Sequence, residues 1–394
     1  MLLRNLRVSR LLSFGPEGID VALRPLNVLI GPNGCGKSNF IEVLNLLRYA
    51  PVRFDAPIMT GGGVKEWLWK GGEFDLEQFA SIEAEVLGDS NDPLPCYRHR
   101  MDFGGSGERL WVDRELIAAG EASEDPRNFA KIYASHEGNA SIRDVASGGK
   151  LREMDGSKID FRVSILSQIR DPELYDTLDF LQRAYAGIHI YRDWTFGAAS
   201  PIRSSQVPDG PVNEVGRQGQ NVVTVVASMK RADRNRLVAE MQSLYPEIQD
   251  VRVAPAGGGA MQLFIEEGEG VEISAQRLSD GTLRFLFLLA ILLQPEPPPM
   301  IVIEEPELGL HPDVLPKLAG LLIEASERTQ VVITTHSRLL VDALGDDPEC
   351  VIVCEKHHGE SSFERLDGER MKVWLERYSL GDLWSKGEIG GNRW

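Results

Sequence analysis

Four cysteines among 394 residues are too few for a disulfide scaffold. Their positions, Cys35, Cys96, Cys350 and Cys354, do not follow zinc-ligand spacing. Long apolar runs are missing too. The longest, Leu283 to Leu293 with Arg284 just inside it, is too short to cross a bilayer. Arg4, Arg7 and Arg10 are scattered through a strand-like pattern instead of preceding one apolar block, so the first twenty residues do not read as a signal peptide. No sustained heptads and no internal repeat are present, which excludes a long coiled coil and a solenoid. Positive charge is scarce: 42 Lys and Arg face 59 Asp and Glu, a formal charge of −17. A chain this acidic does not advertise nucleic-acid binding as a whole. One local basic cluster, Lys230, Arg231, Arg234 and Arg236, reads either as a solvated helix face or as a groove for a phosphate backbone. With 42% hydrophobic and 26% charged residues, the chain is expected to be globular, reduced and cytoplasmic, with a large core and two lobes.

What is present is concentrated in four short clusters. Gly31-Pro32-Asn33-Gly34-Cys35-Gly36-Lys37-Ser38 fits the phosphate-cradling pattern G-x-x-x-x-G-K-[ST]. It follows the apolar run Leu26 to Ile30 and precedes Asn39 to Leu47, whose apolar residues recur at helical spacing. Strand, glycine loop and helix in that order aim backbone N–H groups and a helix N-terminus at one place, which attracts polyphosphate. Asn33 to Asn39 are the expected nucleotide contacts, with Lys37 reaching the β and γ phosphates and the Ser38 hydroxyl on Mg²⁺. A disulfide through Cys35 would block such a site.

The second cluster is the apolar strand Met300 to Ile303, which ends in Glu304-Glu305-Pro306. Glu304 suits a magnesium shell, and Glu305 suits a base for an attacking water. The third, Leu278-Ser279-Asp280-Gly281-Thr282, opens a strongly apolar stretch with Ser279 or Asp280 as N-cap. The fourth, Gln330 to Thr335, is a β-branched strand that delivers His336 at its end.

In this order the clusters resemble the ABC-type ATPase head, and more closely its SMC/RecF-like branch with the AAA-labelled prokaryotic ATPases. Glu304-Glu305-Pro306-Glu307 and Gly309-Leu310-His311-Pro312 are similar to that branch's Walker B and D-loop. Thr334-Thr335-His336-Ser337 is similar to its switch-histidine strand, and Leu6 to Phe14 followed by Val21 to Asn27 to its opening hairpin.

The resemblance implies an α/β P-loop NTPase fold: a mixed sheet with a helical lobe and no long coiled coil. An N-terminal lobe is expected over 1–118, an insertion over 119–265 and a C-terminal lobe over 266–394. It implies ATP and Mg²⁺ bound between two copies, with Ser279 and the N–H groups near Gly281 meeting the γ-phosphate of the partner's nucleotide. Glu305 would be the base and His336 would bond the γ-phosphate or the water. A magnesium-sensing glutamine is expected at Gln168 or Gln78. Asp280 stands where transporter-type heads have Gly, so its carboxylate should turn away from the phosphates. Relatives of this kind act in DNA repair, nuclease control or anti-phage defence. The implied partners are a second copy, an effector in trans or DNA, and no membrane. The other reading is an ATP-gated interaction module with little turnover. A fused nuclease would need more room than residues 356–394 provide.

Between the clusters, strands are expected over 79–87, 96–103 and 109–116, with a loop over 51–70. Residues 121–159 are too polar to assign, and 222–243 read as one or two helices.

Overall fold

The computed structural model describes residues 2–71, 79–88, 96–106, 109–121, 128–143, 149–192, 195–268 and 270–391. The chain forms two compact units, and each draws on distant stretches of sequence. The first comprises Met1–Ile188, Glu349–Lys372 and Trp384–Trp394; the second comprises His189–Pro348 and Val373–Leu383.

In the first unit the opening hairpin, Leu3–Ser9 with Ile19–Ala22, pairs antiparallel. Leu3–Ser9 also pairs with Ala80–Leu87, which pairs with Cys96–Ser106, and that strand with Arg109–Gly120. Alternate residues of Ala80–Leu87 are buried, as a strand with one covered face requires. The sheet then runs further than the sequence suggests. Phe129–His136, Asn139–Arg143 and Leu151–Glu153 extend it inside the polar span 121–159, making eight antiparallel strands. Exposure explains the weak signal: all three residues of Leu151–Glu153 face solvent, so no apolar alternation marks the strand. The expected loop over 51–70 is also corrected. It holds two short helices, Asp55–Thr60 and Val64–Trp67, pinned by buried Phe54, Ile58, Val64 and Trp67.

The same unit carries Leu26–Ile30, buried at every residue, parallel to Val351–His357. Such a run is what a strand covered on both faces looks like in sequence. Val351–His357 turns back antiparallel into Glu360–Arg365. Phe363 of that strand packs against Phe14 and Phe40, tying two distant stretches of sequence together. Deeper in the unit, a buried polar network is closed on itself. His99 meets Glu115 and the Tyr185 hydroxyl, each at 3.0 Å, and the Ser164 hydroxyl donates to Glu115 at 2.5 Å. The Ile165 N–H donates to the other Glu115 oxygen at 2.8 Å. Burying a carboxylate demands such complete pairing.

The second unit is built on two parallel strands, Met300–Glu304 and Gln330–Thr334, with Ile188–Tyr191 beside the first. Helix Asp280–Leu292 is buried from Thr282 onward, and apart from Thr282 and Arg284 its buried residues are apolar all round, as a helix inside the unit requires. Helices Val222–Ser228, Arg231–Met241 and Leu315–Ser326 pack on it. A three-stranded antiparallel meander, Ile248–Gly257, Ala260–Glu267 and Val271–Ser274, completes the unit. The basic cluster does not form one charged face. Lys230 precedes its helix as N-cap, and Arg236 is paired with Glu324. No helix among the described residues is long and apolar enough to cross a membrane.

Candidate active site

The glycine loop connects Leu26–Ile30 to helix Lys37–Tyr49. That helix begins at Gly36, whose φ of 109° only glycine adopts without strain. No side chain caps the helix, and its first turn holds no carboxylate. Its leading N–H groups therefore point outward as an anion cradle. At Gly34, with φ of +78°, a Cβ would meet nothing within 4 Å, so this backbone faces open space on the cradle side.

The back of the loop is packed hard. A Cβ on Gly31 would strike the Cys354 carbonyl oxygen, and one on Gly36 would strike the Ser361 hydroxyl. The Asn39 amide donates to the Ser13 hydroxyl at 2.7 Å, and the Ser361 hydroxyl reaches the same oxygen at 2.7 Å. Asn39 thus braces the cradle from behind. Lys37 is buried, and its ammonium donates to the Gly31 and Pro32 carbonyls at 2.8 and 3.1 Å. It also lies 3.7 Å from Cys35 Sγ.

In the second unit the structure brings Glu305 and His336 together, with Nε2 to Oε1 at 3.5 Å and both side chains about one-third exposed. Glu304 ends its strand in register with Thr334. Glu305 then takes φ of 47°, a left-handed conformation that is strained for a residue with a side chain. Its backbone is held from both ends: the N–H donates to the Thr334 carbonyl at 3.0 Å, and its carbonyl accepts from Arg284 at 3.1 Å. Arg284 lies along the Phe196 ring, 5.7 Å from its centroid. Burial pulls the Arg284 guanidinium down to about 10, against the opposing pull of Glu307 and Glu305.

Glu307 supports the histidine. One carboxylate oxygen accepts from the Thr335 hydroxyl at 2.7 Å and from the His336 N–H at 2.9 Å, while the other is buried without a hydrogen-bond partner. Burial is the main reason that the Glu307 carboxyl is pushed above the usual carboxylate range. A carboxyl raised in the fold favours folding below its unfolded value, and that contribution disappears as pH rises through the folded one. Glu307→Gln is accordingly expected to make the protein more resistant to urea than wild type at pH 8. The advantage should shrink toward pH 4, as midpoints measured across that range will show.

Ser279, and not Asp280, caps helix Asp280–Leu292: its hydroxyl accepts from the Thr282 N–H at 3.1 Å. The Asp280 carboxylate is turned aside into an ion pair with Arg203. Gly281 is needed for close approach, since a Cβ there would come within 2.9 Å of the Gly309 carbonyl oxygen. Arg203 was invisible as a site residue in the sequence. Its buried guanidinium donates to the Phe196, Gln276 and Leu278 carbonyls at 2.6, 3.1 and 2.7 Å, which fixes the approach to the helix. Arg203→Ala should cost about 3 kcal/mol in chemical denaturation, because those carbonyls lose a charged donor. Asp280→Asn, at the exposed end of the pair, should cost under about 1 kcal/mol.

Gln168 follows the short turn Ile165–Ser167. Its amide oxygen accepts from the Asp160 N–H at 2.8 Å, and its NH₂ donates to the Asp160 carbonyl at 3.0 Å. Both ends of that amide are thus spent on its own loop. Gln78 lies outside the described residues. Among the described residues no group of three or more His, Cys, Asp or Glu could hold a metal. Magnesium bound by one hydroxyl, one carboxylate and substrate phosphates needs no such group.

Residues 26–342, from the strand before the glycine loop to just past His336, match the AAA_21 family, described as "AAA domain, putative AbiEii toxin, Type IV TA system". The chain belongs to this family. No curated protein matches this AAA_21 chain. Solved structures similar to it are heads of the Smc type. An Smc head bound to the C-winged helix domain of ScpA has a TM-score of 0.60 at 13% identity, over 94% of this chain and 99% of that one. The Smc head domain with an extended coiled coil bound to the C-terminal domain of ScpA, from Pyrococcus furiosus, has 0.57 at 12%, over 95% and 99%. An Smc head domain with a coiled coil and joint, from Pyrococcus yayanosii, has 0.52 at 10%, over 95% and 99%. Likeness at these identities is one of fold. The AAA_21 chain is an α/β P-loop NTPase of the ABC-type, SMC/RecF-like head class.

Proposed function

We propose that this chain binds ATP with Mg²⁺, hydrolyses it, and uses the cycle to pair two heads in the service of a DNA-related or defence process. The observation that carries hydrolysis, beyond binding alone, is the Glu305–His336 pair at 3.5 Å on a strained, doubly anchored turn. Strain of this kind persists where function needs it. Backbone N–H groups of Asn33 to Asn39 cradle the phosphates, and Lys37 neutralises them. Ser38 and Glu304 are the proposed magnesium ligands; the ion would supply positive charge that stabilises the phosphates. Gln168, spent on its own loop, is left out of that set. Glu305 takes the proton of the attacking water, and His336 orients it from the other side. Ser279 and the N–H groups at Gly281 serve the nucleotide of a second copy.

Membership in AAA_21 supports the nucleotide chemistry. The Smc heads bound to ScpA domains support the idea that a head of this fold receives a protein partner, such as an effector acting in trans. A DNA-repair or anti-phage role and a cytoplasmic location fit the relatives of this head class. The test is phosphate release together with sizing of the protein with and without ATP. Turnover and a nucleotide-dependent dimer support the proposal. Tight ATP binding without turnover, even with DNA present, would make the chain an ATP-gated switch. A monomer under all conditions would remove the role of Ser279.

A further inference from the structure

The back wall of the glycine loop holds two thiols in contact. Val353 pairs with Ile30 in the parallel register, so Cys354 is the next residue along, level with Gly31. The Cβ that would strike the Cys354 carbonyl if Gly31 carried one would also lie 2.9 Å from Cys35 Sγ. Cys35 and Cys354 are buried, at 1% and 0% exposure, and their side chains adjoin, the Cys354 thiol also donating to the Ile352 carbonyl at 3.8 Å. The pair is chemically asymmetric. The Cys354 hydrogen bond and the nearby Lys37 ammonium pull Cys35 down to about 6, despite its burial. Burial, with Cys35 beside it, pushes Cys354 well up. Cys35 is therefore the more acidic and more nucleophilic sulfur of the two. Cys96 contrasts with both: burial and Glu85 push it up to about 11, which leaves it inert.

We propose that Cys35 and Cys354 form a peroxide-responsive dithiol whose closure to a disulfide switches off the nucleotide cradle. The Cys35 thiolate attacks one oxygen of hydrogen peroxide, breaking the O–O bond. Sulfenic acid forms at Cys35, and hydroxide leaves and takes up a proton from solvent as water. The Cys354 sulfur then attacks the Cys35 sulfur. The S–O bond breaks, the S–S bond forms, and the Cys354 proton departs with the oxygen as a second water. Two thiols are oxidised by two electrons and one peroxide is reduced.

A disulfide bond is about 2 Å long, so closure draws Cys35 toward Val351–His357 by about 1–2 Å. Cys35 is the middle of the loop whose N–H groups receive phosphate, and displacements of this size cost binding and rate heavily. Reduced, the thiolate sits beside Lys37 and the loop is free to accept nucleotide. Oxidised, the loop is stapled to its own back wall. The effect on nucleotide rests on the reading of the loop as an ATP site, whereas the thiol chemistry does not.

The experiment uses the full chain, reduced and then exposed to hydrogen peroxide, with free thiols blocked before peptide mass mapping. The expected product is a peptide pair joined through Cys35 and Cys354, two hydrogens lighter, and separated again by dithiothreitol. A fluorescent ATP analogue should bind about tenfold or more weakly after oxidation and recover on reduction. In Cys354→Ala, with Cys354→Ser as the alternative if alanine disturbs folding, peroxide should carry Cys35 on to sulfinic acid with no cross-link. Bound ATP should protect wild-type Cys35. The proposal is overturned if peroxide drives Cys35 to sulfinic acid in wild type without linking it to Cys354. It is also overturned if the link goes to Cys96 or Cys350, or if the cross-linked protein binds the analogue as tightly as the reduced one. Reduced protein that binds no nucleotide would defeat the ATP reading instead, and the mass map would still decide the thiol pair.

Discussion

Glu305→Gln should lower phosphate release from ATP by about 10²–10⁴-fold, the range expected when a positioned base is removed. The glutamine keeps the shape of the side chain, and the left-handed turn is held by backbone contacts to Thr334 and Arg284 that the substitution leaves alone. Stability should therefore change little, and ATP should bind as tightly as in wild type. A species that binds but cannot turn over would accumulate in its ATP state, so sizing with ATP should show more dimer than wild type does. Turnover within threefold of wild type would remove Glu305 from the base role. His336→Ala gives the complementary measurement, because the histidine shares the same 3.5 Å contact but its backbone N–H to Glu307 survives the change.

Gly31→Ala should abolish nucleotide binding and destabilise the first unit by about 3 kcal/mol or more. Two separate costs combine. Alanine is strained at φ of +149°, and its Cβ would meet the Cys354 carbonyl oxygen, a backbone atom that cannot swing away. Gly34→Ala is the control. Its φ of +78° carries the conformational cost, but no atom stands within 4 Å of the added carbon. It should cost about 1 kcal/mol of stability and weaken nucleotide binding by intruding on the cradle. Urea titrations of both variants, paired with binding of an ATP analogue, separate a collision behind the loop from an obstruction in front of it.

The chemistry-bearing segments were legible because each is compact in sequence. A phosphate loop needs its glycines, lysine and hydroxyl within eight residues, and a buried parallel strand announces itself as an unbroken apolar run. Hence Leu26 to Ser38, Met300 to Glu305 and Gln330 to His336 stood out before any coordinates. The supporting residues did not. Arg284 looked like a lone charge in an apolar helix, and only the fold brings its guanidinium to the Glu305 carbonyl. Arg203 serves carbonyls more than seventy positions away. The left-handed Glu305 leaves no mark in composition: Arg10, Leu12, Glu137 and His358 take the same conformation and share no residue type with one another. Strands at 129–153 were missed because their outward faces are polar, and the helices at 55–67 because proline and glycine flank them.

The cradle's two halves lie far apart in the sequence. Gly31 rests on Cys354, and the Ser13 hydroxyl that braces Asn39 bonds Ser361, 348 positions away. During synthesis at about 5–20 residues per second, the glycine loop leaves the ribosome long before its back wall does. The loop can settle only after Ser361 has emerged and the entropy of closing so large a ring has been overcome. Nascent chains stalled ahead of that residue should lack the wall that shapes the loop, so the newborn protein stays mute toward nucleotide until Ser361 is out.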